Sequence, residues 1–294
     1  MLQLTKSKRL TEQKLQKIQE LHKICNDYEK INIAINYYML KNRPDIEIND
    51  FLYYEDGKLI GYVGLFVYTG EEAEVSALVH PHYRRKSIFK DLLYHVKQEL
   101  QRRKIERIIF IADARSTSAM QTLQRLGATY RHSTYRMQLD STQILQSSHS
   151  TVISRAHPSD LDEWIHLESK CFNETEEESR YHMQMFWNRT DHFHFKYVQN
   201  GKMIGKMSVG TDEKSAHIYG LCVDPDHQGK GIAKALVLHI LSQLKDQYEI
   251  FTLEVETNNA PAVGLYQKCG FQILAKDDYY EFHFSSRGCP KRSL

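Results

Sequence analysis

The stretch "DGKLIGYVGL", beginning at Asp56, returns as "NGKMIGKMSV" at Asn200, 144 positions on, and each reads as a two-residue turn followed by a short strand. The same offset recurs where "LVHPHYRRKSIFKDLL" carries Pro81 and "LCVDPDHQGKGIAKAL" carries Pro225. Near the end of each half, Gly127 of "LQRLGA" and Gly270 of "YQKCGF" lie 143 apart. Three matches in the same order, at offsets that differ by one residue, confine the chain to two copies of one fold. Its 294 residues, 41% of them apolar, suffice for two cored domains. Between the copies, "DSTQILQSSHS" (Asp140 to Ser150) is polar and aperiodic, as a linker should be. The expected halves are 1–140 and 151–284, followed by a loosely held tail, "SSRGCPKRSL".

Within the first copy, residues 12–42 have helical spacing, and "FLYYED", "LIGYVGLFV" and "EVSALV" read as strands. "SIFKDLLYHVKQEL" then places Phe89, Leu92, Leu93, Val96 and Leu100 on one helical face. The strand "RIIFIAD", the short helix "SAMQTLQRLG" and a tyrosine-rich strand complete the copy. This order predicts the α/β class, a mixed sheet with helices on its faces. In the second copy Ser159 with Asp162, and Thr175 with Glu178, have capping-box spacing. The acidic run "ETEEES" fits the first turn of a helix, where carboxylates meet the positive end of the dipole, with binding of a cationic substrate as the alternative.

Composition excludes several classes. Basic residues exceed acidic ones by only two, which makes no case for nucleic acid or an anionic membrane. "YRRK" and "QRRK" fall at helix boundaries without interleaved aromatics, so no nucleic-acid partner is expected. Cys25, Cys171, Cys222, Cys269 and Cys289 form an odd set without a CxxC pair, as reduced thiols of a cytoplasmic protein would. No apolar run approaches the ~18 residues of a membrane span, and the basic N-terminus lacks an apolar signal core. His192 and His194 of "DHFHF" share a strand face, but no nearby cysteine or carboxylate completes a ligand set, so they are expected to be solvated or packed and no metal is expected.

Gly229 and Gly231 stand where a helix is about to begin, and each is worth ~1 kcal/mol less than alanine inside one. They follow the strand "IYGLCV" and precede the helix "IAKALVLHILSQL". Strand, glycine turn and helix together aim unpaired N–H groups at one point, where an anion is stabilised. The spacing matches neither the Walker A loop nor GxGxxG. "QGKGIA", Gln228 to Ala233, resembles the Q/R-x-x-G-x-G/A signature of the GCN5-related N-acetyltransferases at every position, and "LEVETNNAPAVGLYQKCGF" resembles that family's next strand and helix. The two halves together resemble its tandem members, with two GNAT domains in one chain.

The resemblance implies acetyl-CoA as cosubstrate and a primary amine as acceptor, attacked directly in a ternary complex. The amides of Gly229, Lys230, Gly231, Ile232 and Ala233 would cradle the diphosphate, with Gln228 opening the loop and Lys230 and Lys234 adding charge at its rim. Leu221, Cys222 and Val223 would pair with the pantetheine arm, one N–H polarising the thioester carbonyl. Tyr266 would protonate the leaving thiolate, its alternative being a core tyrosine. Asn259 would hold the pantetheine or a helix end. Glu254 has the spacing of a base acting through water, as in the branch that acetylates ribosomal proteins, or is an outward strand carboxylate. A non-catalytic acyl-CoA-binding or sensing protein would keep the same signature. The acceptor is open between a small-molecule amine and a peptide or protein amine, and the chain is expected to be a monomer or a homodimer.

In the first copy Arg84 to Phe89 falls on QGKGIA, so every glycine is replaced and backbone approach is expected to be harder. Leu123, Ser116 and Ile111 fall on Tyr266, Asn259 and Glu254. This half is expected to be inactive, binding CoA weakly or serving as scaffold.

Overall fold

The computed structural model describes residues 2–67, 70–144, 152–184 and 186–284, without the side chain of residue 182. The expected linker beyond 144, and the tail from 285 with Cys289, lie outside the described residues. In chain order the elements are β1 (Leu2–Ser7), α1 (Glu12–Glu29), α2 (Tyr37–Asn42), β2 (Asp50–Glu55), β3 (Lys58–Phe66), β4 (Glu72–Val79), α3 (Ile88–Arg102), β5 (Arg107–Asp113), α4 (Thr117–Leu126) and β6 (Thr129–Asp140). They continue with β7 (Ile153–Arg155), α5 (Leu161–Phe172), α6 (Glu176–Gln184), β8 (His192–Gln199), β9 (Lys202–Thr211), β10 (Ser215–Val223), α7 (Ile232–Leu244), β11 (Ile250–Glu256), α8 (Ala260–Lys268) and β12 (Gln272–His283). No described helix is long and apolar enough to cross a membrane.

The chain forms two compact units, and they are not the contiguous halves 1–140 and 151–284. One comprises Met1–Thr134 with the chain from Ala275, the other Tyr135–Leu274. The first unit orders its strands β1-β2-β3-β4-β5-β12, with β4 and β5 parallel and β12 antiparallel to β5 from Asp277↔Asp113 to His283↔Arg107. Tyr280 and Phe284 of this late segment are buried with Val96, Ile108 and Phe110. The second unit orders β6-β11-β10-β9-β8-β7, with β10 and β11 parallel, and Met137 and Leu139 of β6 join Phe251 and Leu253 in its core. Each unit therefore takes its last strand from the other half of the sequence. Local periodicity does not register this, because it names a strand without naming its neighbour.

The repeat extends to side-chain packing. A Cβ on Gly61 would lie 2.7 Å from Ile88 and 3.0 Å from Leu92, and one on Gly205 would lie 2.9 Å from Ile232 and 3.2 Å from Leu236. The same close approach of helix to sheet is thus built twice. At helix starts, Thr175 and Glu178 form the reciprocal box: Glu178 Oε2 accepts from Thr175 N at 2.8 Å, and Thr175 Oγ1 accepts from Glu178 N at 3.2 Å. Ser159 and Asp162 do not. Pro158 takes the first turn position, where a missing N–H is harmless, and His157 with Asp160 makes the box instead, leaving Asp162 to pair with Arg180.

Candidate functional site

In the second unit, β10 and β11 pair from Ser215↔Ile250 to Ile218↔Leu253 and no further, so the parallel strands part beyond Ile218. On its other edge β10 shifts register against β9 between Tyr219 and Cys222, and Gly220 there has φ 60. Such a bulge turns backbone groups out of the ladder, here on Gly220 to Cys222. The first unit has the parting, after Val75↔Phe110, but β4 runs against β3 in unbroken register. The bulge therefore belongs to one copy only, and Leu221, Cys222 and Val223 lie on it or just after it.

After Val223 the chain turns through Pro225–His227 into a loop held by its own side chains. Gln228 Nε2 donates to Val223 O at 3.1 Å, and Lys230 Nζ donates back to Asp226 O at 3.1 Å. Lys230 is thus folded onto its loop, whereas Lys234 is exposed on the first turn of α7. Gly229 and Gly231 have φ 75 and 80, a region costly for other residues, and a Cβ on either would meet nothing within 4 Å. Gly231 is the N-cap of α7 and supplies no side-chain acceptor. The first amides of α7, at Ile232, Ala233 and Lys234, thus receive no capping bond from the side chain before them, which leaves them able to meet an anion.

Asn259 caps α8, its Oδ1 accepting from Ala262 N at 3.2 Å, so its carbonyl holds a helix end. On that helix Tyr266 is buried in the apolar cluster with Phe251, Leu253 and Val255, its ring edge-on to Phe271. Burial pushes its phenol up to about 12, and the hydroxyl makes no hydrogen bond among the described residues. Glu254 alternates with these core residues and points from the opposite face of β11. Its carboxylate reaches solvent, but the protein crowded around it withholds water and raises it above the usual glutamate range, with Arg136 pulling the other way. The bulge and the loop glycines lie at the end of β10, and Tyr266 and Glu254 lie on opposite faces of the sheet.

Sequence reasoning passed over several groups on the face that Glu254 shares. His217 and Tyr219 of β10 alternate onto it, and His217 Nδ1 lies 3.1 Å from Thr252 Oγ1. Surrounding protein pushes His217 down to about 4, so the ring is neutral at pH 7. Lys206 of β9 is fully buried over the Trp164 ring, with Nζ 3.3 Å from Glu168 and donating to Gly220 O at 3.4 Å. Lys206, standing between the apolar residues of "MIGKMSV", was the available signal. His192 and His194 are packed, His194 stacked on Trp187 with Nδ1 2.9 Å from Ser208 Oγ. Among the described residues no His, Cys, Asp or Glu group could hold a metal ion.

The first unit keeps more of the loop than its residues suggest. Arg85 and Ser87 adopt φ 62 and 63, the conformation of Gly229 and Gly231, although neither is glycine. Arg84 Nε donates to Val79 O at 3.2 Å, as Gln228 does to Val223 O. Leu123 is buried where the second unit has Tyr266.

A family model described as "Acetyltransferase (GNAT) family" matches residues 15–128 and 161–271. The [Ribosomal protein bS18]-alanine N-acetyltransferase of Escherichia coli (strain K12) is 32% identical over 91 residues, which are 30% of this chain and 62% of that protein, so the match spans less than two thirds of the relative's length. The mycothiol acetyltransferase of Cellulomonas flavigena is 26% identical over 246 residues, 76% of this chain and 71% of the relative. A crystal structure of a GCN5-related N-acetyltransferase from Sphaerobacter thermophilus shares the fold at a TM-score of 0.79 and 16% identity, covering 96% of this chain and 95% of its own. Matched once in each copy of its repeat, the chain belongs to the GNAT acetyltransferase family and carries two such domains in tandem.

Proposed function

We propose that the second unit transfers an acetyl group from acetyl-CoA to a primary amine, and that the first unit does no chemistry. The observation that carries this reading is the uncapped start of α7: Gly229 and Gly231 hold left-handed φ values and a Cβ on either would meet nothing within 4 Å, an arrangement that suits an anion such as a diphosphate. Gly229 to Ala233 would hold the diphosphate through their amides, and Leu221 to Val223 would meet the pantetheine arm with backbone released by the bulge. Acetyl-CoA supplies an activated thioester.

The protein's part is to move two protons and hold one charge. Glu254, whose surroundings raise it and so make its carboxylate a stronger base, takes the proton of the attacking amine through water on one face of β11. A backbone N–H at the bulge stabilises the developing oxyanion. Tyr266, whose raised pKa keeps the phenol protonated, gives its proton to the departing thiolate from the other side. Reaction through a thioester on Cys222 or Cys269 is disfavoured. A hydrogen bond with Cys171, together with burial, holds the Cys222 thiol well above its usual range, and burial raises Cys269.

The acceptor is a small-molecule amine or the amine of a peptide or protein. The two relatives above, named for acetylating a protein alanine and for mycothiol, support acyl transfer to an amine without choosing between these. Thiol release from acetyl-CoA over a panel of amines and peptides tests the reading. With the best acceptor, Tyr266→Phe is expected to lower kcat about a hundredfold with acetyl-CoA affinity retained, whereas Leu123→Ala leaves kcat near wild type. Loss of turnover in Leu123→Ala alone would move the chemistry to the first unit.

A further inference from the structure

The first unit, which lacks the bulge and the tyrosine, encloses a cavity of about 420 Å3 between its parting strands β4 and β5, the start of α3 and α4, and the end of α1. Its walls are mostly apolar, with Val75, Ala77, Phe110 and Leu123 among them. Its mouth is the preserved loop from Arg84 to Phe89. Arg85 and Ser87 stay in a backbone region that disfavours them, so the shape of an anion loop is kept without the residues that make it easy.

One side chain crosses this cleft. Glu29, the last residue of α1, ion-pairs with Arg84 Nη1 and accepts from Ser116 Oγ at 2.6 Å, while Arg84 Nη1 also donates to Ser118 Oγ at 3.1 Å. Arg84 and Ser116 occupy the places of Gln228 and Asn259. Glu29 therefore spans the two residues that frame the cleft. Burial works against its charge, but the hydroxyls of Ser116 and Ser118 together with Arg84 outweigh it and hold the carboxyl below the usual range. In the second unit the corresponding helix α5 likewise ends in a left-handed cap, Asn173 as against Lys30, and the residue before the cap is Phe172. An apolar ring thus stands where the first unit has a carboxylate.

We propose that Glu29 is a resident counter-anion that closes the first unit's cleft to phosphorylated ligands, making the cavity a latent second site that the diphosphate of coenzyme A enters only when Glu29 is neutralised. An incoming diphosphate would have to take Arg84 from Glu29 and then share the cleft with an ionised carboxylate held in place by Ser116. Like charges in a partly buried site repel, and although Arg85, Lys90 and Arg125 also line the cavity, the cation at its mouth that is paired with Glu29 is Arg84. Removing the carboxylate reverses the sign: Arg84 is left uncompensated at the mouth of a preformed loop.

This inference rests on the reading of Gln228 to Ala233 as a coenzyme A loop, and its test separates the two. Isothermal titration of the full chain with coenzyme A gives a wild-type stoichiometry, expected to be one. Glu29→Gln, which keeps size and the Ser116 contact, is expected to add one equivalent, as is Glu29→Ala. The added equivalent should vanish in Glu29→Gln combined with Leu123→Trp, which fills the cavity. Two equivalents in the wild type, an unchanged stoichiometry in both Glu29 variants, or an added site indifferent to Leu123→Trp would overturn the proposal. A wild type that takes none would end the reading of the second unit's loop, and one equivalent gained by Glu29→Gln would still sustain this one.

Discussion

Glu254 and Tyr266 show how far a single side chain can be read from its neighbours in sequence. Both stand in one local strand–helix segment, so their spacing could be seen at once. What spacing could not give is their environment: a carboxylate crowded by protein and a phenol pushed to about 12, on opposite faces of one strand. The direction of the Glu254 shift fixes a pH dependence. Its base form is lost as pH falls through a pKa above the ordinary glutamate value, so the acid limb of kcat/KM is expected to lie above that value. Glu254→Gln should lower the plateau and abolish the limb, and a limb that persists in the variant would assign the base elsewhere. Lys206, His217 and Tyr219 escaped the sequence because their meeting depends on the register of β9, β10 and β11, and a residue pattern names a face without saying what lies across it.

Among the elements, α7 and its preceding loop were the most legible, since glycine, helix start and apolar periodicity all lie within a few residues. The capping signals divided. The box at Thr175 formed, and the one at Ser159 gave way to His157 because Pro158 moved the start of the turn. The bulge in β10 left no composition trace beyond Gly220, a residue with other possible reasons to be there. Two glycines in the second unit make opposite predictions. Gly205→Ala adds a Cβ 2.9 Å from Ile232 in the seam of sheet and α7, and is expected to destabilise the protein by about 1–3 kcal/mol. Gly264→Ala, inside α8 with nothing within 4 Å of the new atom, should stabilise it by ~0.5–1 kcal/mol. Thermal or urea unfolding of the two variants checks the signs.

For the whole molecule, the repeat announced two copies, and the assignment of strands to units is where sequence reading fell short. A strand's partner across a sheet is a long-range choice, and β6 and the latter part of β12 suit either copy by pattern. The structure makes a test available. A fragment ending at residue 144 has every element of the first unit except the segment from Ala275, whose Tyr280 and Phe284 complete its core. Alone it is expected to be insoluble or unfolded, while co-production with the fragment from residue 152 should restore a soluble pair that purifies together. A stable, monomeric 1–144 fragment with cooperative unfolding would contradict the arrangement.

Translation reaches β5 well before the segment from Ala275, so the first unit's sheet lacks a member while the second unit is being made. Of the two units, the one begun earlier is thus completed later. During synthesis the edge of β5 stays bare while its partner is still being made, an opening for chaperones and for premature pairing, and a reason why a stop codon before Ala275 would injure a unit whose other strands all lie far upstream.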